Sequence, residues 1–120
     1  MAEAKSLNLS EEGDVTIASF RDASILDAVT IQRIGRELYA LVEDDQRKRI
    51  VLDFADVRFL SSQALGVLLT LRRKADQAKA DVYLAGIRDE LARVFKMTNL
   101  DKLFQFFDDR DAAVAKLGGN

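Results

Sequence analysis

The run Ile50-Val51-Leu52-Asp53-Phe54 constrains this chain more than any other stretch. It has no polar–apolar alternation before its aspartate, so a strand built from it is covered on both faces, as a central strand of a layered domain is. Helices on either side of it in sequence can supply such layers. From Asp27 onward Ile31, Ile34, Leu38 and Leu41 recur at helical spacing, with Gln32, Arg33, Arg36 and Glu37 between them. This spacing predicts an amphipathic helix of about three to four turns. The charged stretch Glu43 to Arg49 then breaks the pattern before the apolar run. Beyond that run Leu65, Leu68, Leu69 and Ala75 are placed on one face of a second helix, and Arg72, Arg73, Lys74, Gln77 and Lys79 crowd its end. Cations suit the negative end of a helix dipole and hydroxyls suit an N-cap, so this helix starts near Ser61 or Ser62.

The remaining segments extend the same plan. Ser6 to Leu9 and Val15 to Phe20 have strand character around the turn-like Ser10-Glu11-Glu12-Gly13-Asp14, which predicts an opening hairpin. Asp81 to Gly86 reads as a strand closed by glycine, and Leu91, Val94 and Phe95 as a short helix. Leu103-Phe104-Gln105-Phe106-Phe107 reads as a last strand, and Asp108 to Leu117 as a final helix stopped at Gly118-Gly119. Strands alternating with helices predict a mixed or mostly parallel sheet covered by helices. No internal repeat, low-complexity tract or linker interrupts the chain, so one domain is expected over residues 1–120, with its core at about 6–117.

Composition narrows the chemistry. The 120 residues include no Cys, His, Pro or Trp, and 18 Lys and Arg against 20 Asp and Glu give a formal charge of −2. Without cysteine there is no disulfide framework or thiolate metal site. Without histidine there is no Ser-His-Asp relay, imidazole acid–base group or His-ligated zinc. The near-neutral balance offers no electrostatic footprint for nucleic acid, and no apolar run approaches the roughly 20 residues that span a bilayer. Met1-Ala2-Glu3-Ala4-Lys5 leads into polar residues and not into an apolar signal segment. A soluble, cytoplasmic domain is expected.

Ser61-Ser62 stands between an apolar segment and a predicted helix start, where free N–H groups and partial positive charge gather. One of these hydroxyls caps the helix, or the site receives a phosphate; nothing nearby supplies a general base for a nucleophilic serine. Gly66 lies inside the predicted helix, where glycine costs about 1 kcal/mol relative to alanine. Either the helix packs closely on a strand there, or the missing side chain lets a partner or phosphate approach. Gly35 raises the same question, and close packing is expected for it. Asp27 reads as a cap or one wall of a site, and Asp53 as a loop hydrogen-bonder or a neighbour of phosphate or metal. Asp108-Asp109-Arg110-Asp111 reads as favourable charge entering a helix, and no metal is expected there. The clusters Arg47-Lys48-Arg49 and Arg72-Arg73-Lys74 lack interleaved aromatics and read as solvated faces. Asp56 to Arg58 and Gly86-Ile87-Arg88 are exposed candidates for partner contact.

With the element order in place, the stretch from Ile50 through Asp53, Phe59-Leu60-Ser61-Ser62-Gln63-Ala64-Leu65-Gly66 to Leu69 resembles the STAS domain family, which includes the bacterial anti-sigma factor antagonists. Members run an apolar strand ending in Asp, a short link, and then Asp-Ser-Ser-Gly-Leu-Gly opening a helix. The resemblance spans nearly the whole chain. It implies a single α/β domain with a mixed, mostly parallel sheet, an N-terminal hairpin strand and about four covering helices.

In that family the first serine of the motif is phosphorylated by the anti-sigma factor, a serine kinase with an ATPase domain of the histidine-kinase type. Aligned through Phe59, Leu60, Leu65 and Gly66, that serine falls on Ser62, with Ser61 the second choice. Ser61 itself stands where the family usually has Asp, Gln63 where the second Ser sits, and Ala64 where the first Gly sits. Asp27 matches an acidic residue before the family's first helix. The resemblance therefore implies a partner-switching regulator that contacts its partner through Asp27, Ser61, Ser62, Gln63 and Gly66, with Asp56 and Arg88 added as exposed loop candidates. No catalytic residue, metal, cofactor, nucleic acid or membrane is implied, and the oligomeric state is left open. A STAS interaction scaffold that is never phosphorylated is the alternative within the family. A small nucleotide- or ligand-binding enzyme is the alternative from another class, and retained ATP or GTP with hydrolysis would mark it.

Overall fold

The computed structural model describes residues 6–118. The polar start Met1 to Lys5, and Gly119 of the predicted glycine stop, lie outside them. The opening hairpin forms from β1 (Leu7–Glu12) and β2 (Val15–Phe20), antiparallel with Leu7 opposite Phe20 and Glu12 opposite Val15. Its turn is tighter than the composition of Ser10 to Asp14 predicts. Gly13 takes φ +65°, which lets the chain reverse within Gly13-Asp14 and leaves Ser10 to Glu12 in the strand.

A short strand β3 (Ser24–Ile25) leads into α1 (Ala28–Glu43), whose expected stripe of Ile31, Ile34, Leu38 and Leu41 is buried. Next come β4 (Arg49–Asp53), a second short strand β5 (Phe59–Leu60) and α2 (Ser62–Gln77). The chain continues through β6 (Asp81–Ala85), α3 (Asp89–Met97), a 3-10 turn (Leu100–Lys102), β7 (Gln105–Phe107) and α4 (Arg110–Leu117). The five-stranded sheet has the order β1-β2-β4-β6-β7, and β2, β4, β6 and β7 run parallel. This is the mixed, mostly parallel sheet with an N-terminal hairpin and four α-helices that the sequence predicts.

β4 lies at the centre of this sheet, and its apolar run is explained by the two layers beside it. Ile50 and Leu52 enter the larger core with α1, α2 and α3, whereas Val51 joins Val15, Ile17 and Ala85 beneath Ala113 of α4. Asp53, two residues past Val51, falls on the α4 face by the period of the strand. Phe20, Phe54, Phe95 and Phe106 pass contacts through the larger core, with ring centroids 4.7, 6.3 and 5.7 Å apart in turn.

Several local expectations shift. Leu69 is exposed and Leu71 buried, because the α2 stripe steps through Ala64, Leu68, Leu71 and Ala75, with Leu65 at its edge. The last strand is shorter than Leu103 to Phe107: Leu103 is exposed and ends the 3-10 turn, and Phe104 is buried before the strand begins. Val94 is only partly buried in α3.

Candidate functional site

Two helix starts meet at the carboxyl side of the parallel strands, and a ribbon of two short strands brings them together. β3 and β5 pair in parallel, Ser24 opposite Phe59 and Ile25 opposite Leu60. The Arg58 and Ser61 amides donate to the Ala23 and Ile25 carbonyls at 2.7 and 3.1 Å. Since β3 runs into α1 and β5 into α2, this pairing places the N-caps of both helices at one edge.

Those caps are Asp27 and Ser61. Asp27 accepts the Thr30 amide on Oδ1 at 2.9 Å and the Thr30 hydroxyl on Oδ2 at 2.8 Å. The backbone bond, then the hydroxyl bond, hold its carboxyl below the ordinary 3.8. Ser61 Oγ accepts the Ala64 amide at 3.2 Å, so of the two hydroxyls Ser61 is the cap. Ser62 is the first residue of α2. It is exposed, and its hydroxyl takes part in no hydrogen bond among the described residues.

Gly66 lies one turn beyond Ser62 on the same face of α2. It is exposed, and a Cβ built there meets nothing within 4 Å, so close packing on a strand is not what this glycine serves. Gly35 differs from its expectation too: a Cβ there would sit 3.5 Å from the ring of Tyr39 in its own helix, an ordinary contact and not a tight approach to a strand. Gln63 lines an open groove of about 270 Å³ between α1 and α2 with Ile31, Gly35, Tyr39 and Val67.

Asp53 is built into the scaffold. It is 7% exposed, accepts the Ala55 amide at 3.0 Å and the Ser19 hydroxyl at 3.4 Å, and faces the Arg110 guanidinium at 3.8 Å. It thereby fixes the start of the loop that leads to α2. Arg88 holds the same loop from the other side, donating from Nε to the Ala55 carbonyl at 3.1 Å. Gly86 makes this crossing possible: at φ +72° it lies so close that a Cβ would come within 3.1 Å of the Ala55 nitrogen. Asp56 is exposed in the turn closed by the Val57 amide on the Phe54 carbonyl.

Asp27, Ser61, Ser62, Gln63 and Gly66 therefore belong to the paired helix starts, and Asp56 and Arg88 to the adjoining loop. What sequence reasoning missed is the apolar surface among them. Phe59 is 57% exposed, Leu26 54% and Val29 66%. Phe59 and Leu26 point to the solvent side of the ribbon, because Ile25 and Leu60 between them turn inward. The available signals were Leu26 directly before a cap and Val29 off the buried stripe of α1.

Elsewhere the charged clusters lie on solvated faces, as expected, and several of their side chains also tether neighbouring elements. Arg47 pairs with Glu11 at 3.0 Å, Lys48 donates to the Ala78 carbonyl at 2.8 Å, and Arg49 to the Leu117 carbonyl at 2.6 Å. Arg72 donates to the Leu103 carbonyl at 2.7 Å, and Lys74 pairs with Glu43 at 2.8 Å. Asp109 caps α4 through the Ala112 amide at 2.8 Å. Among the described residues no group of three or more His, Cys, Asp or Glu side chains is placed to hold a metal ion, and no helix is long and apolar enough to cross a membrane.

Comparison with known proteins places this geometry. A family model described as the STAS domain matches residues 7–113. BtrV of Bordetella bronchiseptica, a candidate anti-sigma factor antagonist, is 25% identical over 91 residues, covering 76% of this chain and 78% of that protein. An anti-sigma-factor antagonist (STAS) domain protein from Planctomyces limnophilus superposes with a TM-score of 0.84 at 16% identity, covering 94% of this chain and 98% of that one. The phosphorylated form of the Bacillus cell fate determinant SpoIIAA superposes with a TM-score of 0.72 at 12% identity, over 92% and 98%. The two structural likenesses show a shared fold.

Proposed function

The chain belongs to the STAS domain family, and from that premise we propose that it is a partner-switching regulator of the anti-sigma factor antagonist kind. Its single domain, with a core over 6–117, works in the cytoplasm without a catalytic centre of its own. Its partner is an anti-sigma factor that is also a serine kinase, with an ATPase domain of the histidine-kinase type. The docking surface is the pair of helix starts and the loop beside them: Asp27, Asp56, Ser61, Ser62, Gln63, Gly66 and Arg88, joined by Leu26, Val29 and Phe59.

The observation that carries this reading is the division of labour between two adjacent hydroxyls. Ser61 is engaged as the cap of α2, while Ser62 is exposed with its hydroxyl unengaged, beside three exposed apolar side chains and an open stretch of helix at Gly66. Exposed apolar side chains gathered at one end of a domain suit a site of association. Phosphorylation of Ser62 adds about −1.5 to −2 charges at pH 7, which the start of α2 tolerates and an apolar or acidic partner surface does not. The complex then dissociates with no refolding of the domain.

Capture from a lysate of the source cells with wild-type and Ser62→Asp protein tests this, with mass spectrometry of partners and phosphopeptides. Retention of a histidine-kinase-type ATPase protein by wild type alone, with phosphate on Ser62, is the expected result. Identical partners for both proteins and unmodified serines would instead make the domain a constitutive scaffold. The replacement of the family's Asp, second Ser and first Gly by Ser61, Gln63 and Ala64 favours that second reading.

A further inference from the structure

β1 (Leu7–Glu12) is one edge of the five-stranded sheet, and among the described residues no strand lies on its outer side. The direction of its backbone groups follows from the ladder. The Arg21 amide donates to the Ser6 carbonyl at 3.0 Å, and antiparallel bonding recurs every second residue. In the uninterrupted register of the hairpin, Asn8, Ser10 and Glu12 therefore bond toward β2, and Leu7, Leu9 and Glu11 aim outward. Leu7 obeys this direction, since its amide reaches out to Glu37 Oε1 at 3.2 Å, beside the Ser6 amide on Oε2 at 3.0 Å. Glu37 of α1 thus closes the beginning of the edge. The outward amides of Leu9 and Glu11 meet no acceptor among the described residues, and the Leu9 side chain is 52% exposed. The opposite edge, β7, has only three residues.

We infer that this edge pairs with β1 of a second copy of the chain, antiparallel about a two-fold axis through Leu9. The strand is self-complementary in that register. Leu9 faces Leu9, Asn8 faces Ser10 and Leu7 faces Glu11, so the two Glu11 side chains lie at opposite ends of the ribbon. Each Glu11 also carries its own counterion, Arg47, at 3.0 Å. The Leu9 amides and carbonyls of the two copies bond one another, and each Glu11 amide meets the Leu7 carbonyl across the axis, where the Leu7 amide exchanges Glu37 Oε1 for the Glu11 carbonyl while Glu37 keeps the Ser6 amide. A register centred on Glu11 would set like charges face to face, which opposes it. The pairing joins two five-stranded sheets through the edge that is two strands away from β4, and a dimer so formed offers two Ser62 faces at once to a partner with two binding sites.

Sedimentation of the full chain from micromolar to millimolar concentration tests the inference. The wild-type mass is expected to climb toward about twice that of the monomer. Leu9→Pro removes the outward amide while leaving the β1–β2 bonds intact, and is expected to abolish the climb. Leu9→Lys keeps the backbone amide, sets two cations across the axis, and is expected to abolish it as well, which covers the case in which proline unfolds the strand. A wild-type chain that stays monomeric at every concentration overturns the inference. A dimer that Leu9→Lys forms as readily as wild type overturns it too.

Discussion

At the scale of single residues, the neighbours Ser61 and Ser62 have the same side chain and opposite duties. Ser61 Oγ takes up the Ala64 amide, one of the donors that α2 cannot satisfy internally. Its replacement by alanine is expected to lower stability by about 1 kcal/mol in urea unfolding. Ser62→Ala, which removes an exposed hydroxyl with no partner, stays within about 0.5 kcal/mol. Equal losses for the two would show that the capping assignment is wrong. Asp27 makes the corresponding cap with a carboxylate and therefore with a pH dependence. Its pKa is lowered in the folded chain, so its stabilising contribution is fully present above the ordinary value of 3.8 and is lost as pH falls through the lowered one. The Thr30 amide resonance should follow that titration with a midpoint below 3.8, and in Asp27→Asn, which keeps a capping oxygen, this titration should vanish. Gly86 is the residue where backbone shape decides. At φ +72°, with the Ala55 backbone 3.1 Å from any added Cβ, Gly86→Ala should cost more than about 1 kcal/mol by the same urea measurement.

At the scale of elements, the same substitution at Gly66 has the opposite sign. An added methyl group there meets open space, and alanine is the better helix former, so Gly66→Ala should raise the stability of α2 by about 1 kcal/mol. If the face through Ser62 and Gly66 receives a partner, the same variant should bind that partner less well. A more stable chain with weaker capture separates docking from folding, whereas unchanged capture would remove Gly66 from the surface. The elements that could be read from sequence are those with a sustained pattern or a clear boundary: the stripe of α1, the unbroken apolar run of β4, the hairpin, the β6 strand closed by Gly86, and the helices α3 and α4. β3 and β5 could not be read, because two residues each hold no period, and their pairing is fixed by the packing of Ile25 and Leu60 into the core. That gap hid the logic of the site. The motif residues from Ser61 to Gly66 were visible in order along the chain, but only the β3–β5 pairing sets Asp27 beside them and turns Phe59 and Leu26 outward. The slip between Leu69 and Leu71 has a related cause: each is one of several leucines within two turns, and spacing alone leaves the centre of the stripe loose.

At the scale of the whole molecule, the sheet is covered unequally. α1, α2 and α3 bury one face in the larger core, while α4 covers the other with a single fully buried residue, Ala113, and with the partly buried Val114 and Leu117. Polar ties supply much of its attachment: Arg110 to the Ser10 hydroxyl at 2.9 Å and toward Asp53 at 3.8 Å, and Arg49 to the Leu117 carbonyl at 2.6 Å. An element with so little buried apolar surface opens locally at a free energy below that of global unfolding. Native-state hydrogen exchange should therefore show the α4 amides exchanging before those of β2, β4 and β6. Arg110→Ala should accelerate α4 further, and should also speed the Ala55 amide, because Asp53, which accepts that amide, loses the cation beside it. Exchange of α4 at the same free energy as β4 would show that the helix and sheet form one cooperative unit. The division matters for switching. The helix starts that carry Ser62 rest on the heavily packed face, so a phosphate added there alters charge on a rigid surface. The loosely held face is separated from that surface by the sheet, and Asp53 is the side chain that reaches across, linking Arg110 of α4 to the loop that opens α2.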